Sequence, residues 1–318
     1  MKIGYHASHE QFRPSELLRC VQAAEAAGFE AAMCSDHLHP WSERQGQSGF
    51  SFSWLGAALQ ATSLPMGTVT APGQRYHPTM VAQAAATLLE MFPGRLWLAV
   101  GSGERLNEHV TGEPWPEKSV RNQRLLECVA VMRALWAGER VDHHGLVRVH
   151  KAQLYTRPSR PPLLMAAAIT EQTARWAGAW ADGLLTLAQE GDKLRRVVEA
   201  FREGGGAGKP MLLQVKLAYA TSEEEAREQA FQQWRTNAAE SHVLADLEMP
   251  EDFEAQSAHL TRADMHKYVR ISADPGQHAA WLAQDRELGF EAVYLHQVGR
   301  NQRELIDCFG QHVLPQLR

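Results

Sequence analysis

The chain has 318 residues, 44% of them hydrophobic, and a formal net charge of −5. This length and apolar content are enough for a large buried core. Without a basic block, the chain lacks the electrostatic footprint of a nucleic-acid-binding protein or of one held on an anionic membrane surface. No segment approaches the ~20 apolar residues of a membrane helix. We therefore expect a soluble, unprocessed protein that binds a small molecule.

Short apolar strand patterns alternate with amphipathic helix patterns through most of the chain. The predicted strands cover residues 2–7, 31–35, 66–71, 95–102, 163–168, 184–188, 212–220 and 292–298. The predicted helices cover residues 14–27, 54–62, 78–92, 119–137, 171–180, 193–203, 275–288 and 301–317. Eight strands joined by helical crossovers predict an α/β fold, a (β/α)8 TIM barrel, with an open doubly wound sheet as the alternative.

Two stretches interrupt this alternation. Residues 142–160 have a hairpin-like pattern, and residues 238–267 are polar and helical. Both indicate insertions on one barrel, so we expect a single domain over residues 1–318. The four cysteines are scattered without CxxC spacing, which is typical of reduced thiols and favours the cytoplasm.

Polar side chains follow the predicted strands at one end of the barrel. Glu104 and Asn107 come after the fourth strand, and Asp36, His37 and Trp41 come after the second. The carboxyl ends of barrel strands carry the ligand site in this fold. Imidazole titrates near neutrality, so His37 is a candidate acid or base beside a carboxylate.

A second interpretation of the same region is a metal site. His37 and His39 are two residues apart, which on an extended segment directs both rings to one side. His296 near the eighth strand is the only further support. Because catalytic zinc sites usually need three protein ligands, this interpretation is the weaker one.

The fifth strand ends in small residues and then a helix opens. Ala167 and Ala168 would let a ligand approach the backbone, and Ile169 and Thr170 precede a helix N-terminus suited to a phosphate. Thr170 is equally suited to be a simple N-cap. Aromatic residues of the early loops, Trp41, Phe50, Phe52, Trp54 and Trp115, would suit a flat apolar ligand.

Taken together, several motifs resemble the luciferase-like flavin and deazaflavin oxidoreductases, near the branch of F420-dependent glucose-6-phosphate dehydrogenases. The resemblance runs through almost the whole chain and lies in Ser35-Asp36-His37 with Pro40-Trp41, Phe50-Ser51-Phe52-Ser53-Trp54, Arg75-Tyr76-His77-Pro78, Gly101-Ser102-Gly103-Glu104 with Leu106-Asn107-Glu108, Ala177-Gly178 with Asp182-Gly183, and Ala273-Asp274-Pro275. It implies a bacterial luciferase-like TIM barrel whose cofactor ring lies across the carboxyl ends of the strands.

The resemblance also implies residue roles. His37 and Glu104 would handle protons, and Trp41 would pack over the reacting centre. Asp36 and Asn107 would hydrogen-bond near the cofactor ring. The remaining cofactor contacts that the resemblance implies are Thr70, Ala71, Gly101, Ser102, Glu104, Ala167, Ala168, Ile169 and Thr170.

This chain departs from the sugar-phosphate dehydrogenases at two sites. Gln189, Leu244 and Tyr268 stand where those enzymes hold the substrate phosphate with cations, so a phosphorylated sugar is not expected. Where the deazaflavin enzymes have a Gly-Gly-Pro turn, this chain has residues 169–171, and Glu171 would oppose the acidic tail of the deazaflavin. This difference favours FMN.

The sequence thus predicts an FMN-dependent oxidoreductase that moves a hydride between the flavin N5 and an unphosphorylated organic substrate, with or without oxygen. The alternatives are a coenzyme F420-dependent dehydrogenase, a metal-dependent TIM-barrel hydrolase and a barrel that binds flavin without turnover. The resemblance further implies a homodimer, and the FMN hypothesis allows a flavin reductase as a partner.

Overall fold

The computed structural model describes residues 1–317; Arg318, which the predicted domain includes, lies outside them. The strands are β1 Lys2–Ala7, β2 Ala31–Cys34, β3 Met66–Thr70, β4 Leu96–Val100, β5 Val141–His144, β6 Arg148–Ala152, β7 Leu163–Ala167, β8 Gly183–Leu187, β9 Met211–Ala218, β10 Arg270–Ile271 and β11 Ala292–Gln297. The α-helices are α1 Pro14–Ala26, α2 Ser51–Ala61, α3 Pro78–Met91, α4 Arg105–Glu108, α5 Lys118–Trp136, α6 Glu171–Gly178, α7 Lys193–Phe201, α8 Glu223–Trp234, α9 Ser241–Leu244, α10 Pro250–Ser257, α11 Pro275–Glu287 and α12 Gln302–His312.

Eight parallel strands close into a barrel. Their order is β1-β2-β3-β4-β7-β8-β9-β11, and β11 pairs back with β1. The pairing of β8 with β9 completes the ring, so the barrel has no open edge among these eight strands. The predicted (β/α)8 barrel is therefore confirmed, and the alternative of an open sheet is wrong.

Alternation along each strand divides the apolar residues into two layers. Leu213, Val215 and Leu217 of β9 belong to the large core between barrel and helices. Leu212 faces inward and packs in a smaller core inside the barrel. Successive side chains of a strand point to opposite faces, so every second residue points into the barrel. These inward-pointing side chains fill the barrel interior.

Two aromatic rings pack against each other inside the barrel. Trp97 of β4 and Tyr294 of β11 pack with ring centroids 5.4 Å apart, and the Trp97 indole N–H donates to the Tyr294 hydroxyl at 3.0 Å. A Cβ at position 67 would lie 2.1 Å from the Trp97 ring, so β3 needs glycine there. The two rings therefore fill part of the barrel interior, in the same cluster as Met33 and Leu185.

Local signals explain several helix starts. Pro78 and Pro275 occupy first-turn positions, where proline costs no hydrogen bond. The Asp274 carboxylate accepts from the Gly276 N–H at 2.8 Å and caps α11. Thr170 caps α6 by accepting from the Thr173 N–H at 3.3 Å, which is one of the two roles that the sequence left open for it.

The two interrupting stretches lie outside the barrel sheet. β5 and β6 form an antiparallel hairpin in the first. The second contains α9, α10 and a 3-10 helix at Arg262–Lys267. Its Phe253 and Met265 pack with Trp41, Leu106 and Trp234 in a separate apolar cluster. The second stretch therefore supports the loops that follow β2 and β4.

The largest differences from the predicted elements are in three helices. α8 at Glu223–Trp234 has no counterpart among the predicted helices. α2 begins at Ser51 rather than 54, and α12 ends at His312 rather than 317, followed by a 3-10 turn at Leu314–Gln316. Helix ends are set by capping and packing that periodicity does not reveal. Within residues 1–317, no helix has the length and apolar character needed to cross a membrane.

Candidate active site

A cavity of about 850 Å³ opens at the carboxyl ends of the barrel strands. The predicted catalytic and cofactor-contact residues all line it, namely Asp36, His37, Trp41, Thr70, Ala71, Gly101, Ser102, Glu104, Asn107, Ala167, Ala168, Ile169 and Thr170. Of the other predicted residues, His39, Phe50, Phe52, Trp54 and Trp115 do not line it. The predicted residues that line the cavity come from the carboxyl ends of four strands, β2, β3, β4 and β7, and from the segments that follow them. A volume of this size accommodates a cofactor ring system together with a small substrate.

His37 is held by a buried carboxylate that sequence reasoning missed. Its Nδ1 lies 2.5 Å from Glu10 Oε1, and Glu10 is only 1% exposed. The hydroxyls of Ser8 and Ser35 both donate to Glu10 Oε2, at 2.7 and 2.8 Å. Burial raises the pKa of Glu10, but His37 and the two serines outweigh it and hold that pKa far below its usual value. Glu10 is therefore ionised across the physiological pH range.

Opposing effects set the protonation of His37. Burial lowers its pKa, while the charge of Glu10, the contact with Glu10 and the charge of Glu104 raise it, and the net result is a raised pKa. The Trp41 ring packs edge-on against the imidazole with centroids 4.8 Å apart. His37 thus has one nitrogen fixed by Glu10, a fixed ring plane, and Nε2 left for a ligand.

Glu104 faces the free nitrogen of His37. Its Oε2 lies 3.6 Å from His37 Nε2, and its side chain is 37% exposed. Its depth in the cavity raises the pKa of Glu104, although the positive charges of His37 and Lys216 oppose this shift. A carboxyl group with a raised pKa beside an imidazole with a raised pKa is an arrangement able to exchange a proton with a bound group.

Asp36 is anchored by its own protein surroundings. The Thr70 hydroxyl donates to Oδ2 at 2.7 Å, and the Tyr76 hydroxyl donates to Oδ1 at 3.0 Å. The Arg75 guanidinium lies 3.4 Å from Oδ2 and also donates to the Asp36 carbonyl at 3.0 Å. Asp36 therefore fixes the loop after β2 against the loop after β3.

Asn107 bridges two loops of the cavity. Its Oδ1 accepts from the Leu38 N–H at 2.8 Å and from the His39 N–H at 3.5 Å. This fixes the segment that carries His37 and leaves the Nδ2 protons of Asn107 for a ligand.

The end of the cavity that is lined by Ser102, Lys118 and Thr170 offers hydrogen-bond donors and a positive charge. Lys118 Nζ donates to the Ser102 hydroxyl at 2.6 Å, and burial lowers the pKa of Lys118. Glu171 lies next to this end but does not line the cavity; its carboxylate pairs with Arg196 at 2.7 Å. The expected repulsion between Glu171 and an acidic cofactor tail is therefore reduced.

The histidines of the metal hypothesis do not form a ligand set. His39 stacks on His109, with centroids 5.3 Å apart, and its Nδ1 contacts the Leu106 carbonyl. His296 packs against His6 at 4.3 Å. Across residues 1–317, no group of three or more His, Cys, Asp or Glu side chains is arranged to hold a metal ion.

Three positions were predicted to differ from the phosphate-binding cations of the sugar-phosphate dehydrogenases. In the structure none of the three carries a positively charged side chain. Leu244 lines the cavity, Gln189 donates to the Ile169 carbonyl at 3.1 Å, and Tyr268 is 37% exposed.

The polar cavity residues that were not singled out from the sequence include Glu10, Lys118 and Lys216. Glu10 directly follows β1 with Ser8 and His9, which is the same signal that identified Asp36 and His37 after β2. Lys216 is a charged residue within the largely apolar strand β9. This exception to the apolar pattern is visible in the sequence and could have identified it. Their distances to His37 and Glu104 could not have been found without the fold.

A closed (β/α)8 barrel with a paired imidazole and carboxylates at its carboxyl-end cavity defines a TIM-barrel enzyme. Residues 1–292 match the model of the luciferase-like monooxygenase family. The chain belongs to this family, and it is an oxidoreductase.

Among curated proteins, the chain is similar to an F420-dependent glucose-6-phosphate dehydrogenase of Nakamurella multipartita, with 36% identity covering 100% of this chain and 97% of the relative. The enzyme of the same description from Mycobacterium tuberculosis is 34% identical over 100% and 98%. A solved F420-dependent secondary alcohol dehydrogenase with an F420-acetone adduct superposes with a TM-score of 0.91 at 31% identity, covering 100% of this chain and 99% of the other. The prediction of FMN gains no support from these relatives, which favour the F420 alternative.

Proposed function

We propose that the protein is a coenzyme F420-dependent dehydrogenase that interconverts an alcohol and a carbonyl group on an unphosphorylated substrate. The proposal is based on the arrangement of Glu10, His37 and Glu104 in the cavity. There the imidazole of His37 is held at Nδ1 by Glu10 and is free at Nε2 to contact a ligand. The F420-dependent descriptions of the relatives support the choice of cofactor.

The residues of the cavity fit a deazaflavin. Asn107 offers amide protons at the ring, and small residues such as Ala71, Gly101 and Ala167 leave room for a flat ring. Lys118 and the N-terminus of α6 offer positive charge to a phosphate at the end of the cavity that they line. When bound, a deazaflavin supplies the carbon that accepts or returns a hydride.

His37 performs the proton transfer in this proposal. As a neutral base, Nε2 takes the proton of the substrate hydroxyl; as an imidazolium, it donates a proton to a carbonyl oxygen in the reverse direction. Glu10 stabilises the imidazolium that forms, and Glu104 adds negative charge on the other side. Trp41 restricts the imidazole to one orientation, and the apolar cluster behind it keeps bulk water away.

Glu171 pairs with Arg196 in the structure, so its charge is a weaker reason to expect FMN than residues 169–171 indicated in the sequence. The absence of cations at Gln189, Leu244 and Tyr268 still supports an unphosphorylated substrate. The homodimer stays a prediction.

Cofactor choice is tested by titrating cofactor-free protein with F420 and with FMN at matched concentrations and following the spectrum and the protein fluorescence. We expect saturable F420 binding at least about 10-fold tighter than FMN binding, a difference of roughly 1.4 kcal/mol. Tighter binding of FMN would refute the choice of cofactor and restore the flavin hypothesis.

A further inference from the structure

A lysine lies on the inward-facing row of the seventh barrel strand. Leu212 of β9 packs in the core inside the barrel, and with a period of two the next inward positions are Gln214 and Lys216. Both line the cavity. Lys216 therefore extends into the cavity at the carboxyl end of the barrel, and not toward the surrounding helices.

Lys216 has no ion-pair partner within the described part of the chain, and its ammonium group lies over an aromatic ring. Its Nζ lies 5.1 Å from the centroid of the Trp234 ring, and no carboxylate of residues 1–317 forms an ion pair with it. Glu104 is the carboxylate whose charge acts on it, from beyond ion-pair distance. Burial lowers the pKa of Lys216 to about 8, so the ammonium form still predominates at neutral pH.

The other titratable neighbours do not neutralise this charge. Burial lowers the pKa of His6 to about 3 and that of His296 well below its usual value, so both rings are neutral. An ammonium group removed from bulk water is costly unless an anion compensates it.

The remaining cations of the cavity already have acceptors. Arg75 pairs with Asp36, Arg121 lies 3.3 Å from an Asp246 oxygen, and Lys118 donates to Ser102. Among the described Lys and Arg residues that line the cavity, Lys216 is the one with an unused ammonium group.

We propose that Lys216 binds a carboxylate of the substrate, and that the substrate is a hydroxy acid whose hydroxyl group contacts His37. This inference rests on the proposed function and names its substrate class. A single ammonium matches a monoanion. A phosphate dianion would keep an uncompensated charge near Glu104, because no second free cation is described in the cavity.

The oxidation balances without a further reactant. The hydride leaves the carbinol carbon for the cofactor, the hydroxyl proton moves to His37 Nε2, and the carbon–oxygen bond becomes the carbonyl of an oxo acid. The carboxylate is unchanged and serves only for binding. Charge-assisted hydrogen bonds of this kind are among the strongest recognition contacts in proteins.

The test measures equilibrium binding by calorimetry to F420-loaded protein, so that it does not depend on turnover. The probes are the monoanionic hydroxy acids 2-hydroxybutyrate, lactate and mandelate, the neutral alcohol 2-butanol, and glucose 6-phosphate. We expect one or more of the hydroxy acids to bind, and Lys216→Met to weaken that binding about 10- to 100-fold. Binding of 2-butanol should change less than about 3-fold in the same variant, and Lys216→Arg should restore part of the affinity for the acid.

Lys193→Met is the matched control, because Lys193 is exposed on α7 and does not line the cavity. Hydroxy acid affinity should also fall as the pH rises through about 8, where Lys216 loses its charge. The inference is overturned if the acids bind equally well to wild type and Lys216→Met, if none of them binds, or if glucose 6-phosphate is the ligand that depends on Lys216. Failure of the protein to bind F420 would instead refute the proposed function.

Discussion

Replacing His37 with alanine should lower the turnover of alcohol oxidation by about 10²- to 10⁴-fold, the usual contribution of a general base. We expect this loss of turnover because His37 Nε2 is the free nitrogen in the cavity, whereas Nδ1 is fixed by Glu10. F420 affinity should change little, since the cofactor contacts proposed for Asn107, Lys118 and the N-terminus of α6 remain. Steady-state rates together with cofactor titration measure the two effects separately.

The control for this substitution is His143→Ala. His143 on β5 also pairs with a carboxylate, Glu127, at 3.0 Å, but it lies on the hairpin and not in the cavity. Its loss should leave turnover within about 2-fold, as is usual for changes remote from the chemistry. A second variant, His37→Gln, can still donate to Glu10 but cannot accept a proton at neutral pH. If a folded His37→Gln protein kept wild-type turnover, His37 would not be the base.

Replacing Glu10 with glutamine should shift the pH dependence of both reaction directions. The Glu10 charge is the largest effect that raises the pKa of His37, and without it the remaining burial lowers that pKa. Oxidation needs neutral His37, so its rate rises with pH through the His37 pKa, and in the variant this rise occurs at lower pH. Carbonyl reduction needs protonated His37, so it is lost at lower pH and falls about 10- to 100-fold at pH 7. Profiles of kcat/KM against pH for the two directions measure this.

Glu127→Gln supplies the comparison for Glu10→Gln, since it alters the matching carboxylate of the His143 pair. It should leave both profiles unshifted. An unshifted profile in a well-folded Glu10→Gln protein would contradict the assignment of His37 as the titrating group.

The barrel was predictable from the sequence because its eight inner strands are short apolar runs separated by amphipathic helices. The pattern predicted both ends of β4 and β11 to within two residues. It did not predict α8, although Ser222 caps it and accepts from the Glu225 N–H at 3.2 Å. The weak amphipathic pattern of α8 gave periodicity little to detect, since its buried residues include the polar Gln233.

The sequence predicted which residues line the site, but it did not predict which charged side chains are paired with one another. Polar side chains directly after apolar strands marked Asp36, His37 and Glu104, because parallel strands all end on the same side of a barrel. The buried partner Glu10 was missed although it follows β1 in the same way. The Glu171 and Arg196 pair joins residues 25 positions apart, so the sequence alone could not show that the charge of Glu171 is already compensated.

A single-turnover reaction of F420-loaded protein with an excess of alcohol, in air and under nitrogen, shows whether the protein is a dehydrogenase. A panel of hydroxy acids and neutral secondary alcohols is mixed rapidly with the complex, and the visible absorbance of the oxidised cofactor is followed. The proposed function predicts that one or more substrates bleach the cofactor at the same rate with and without oxygen, and that His37→Gln slows this step. A cofactor that binds but is reduced by none of them, or reduction that occurs equally well in His37→Gln, would contradict a dehydrogenase that uses His37 as its base.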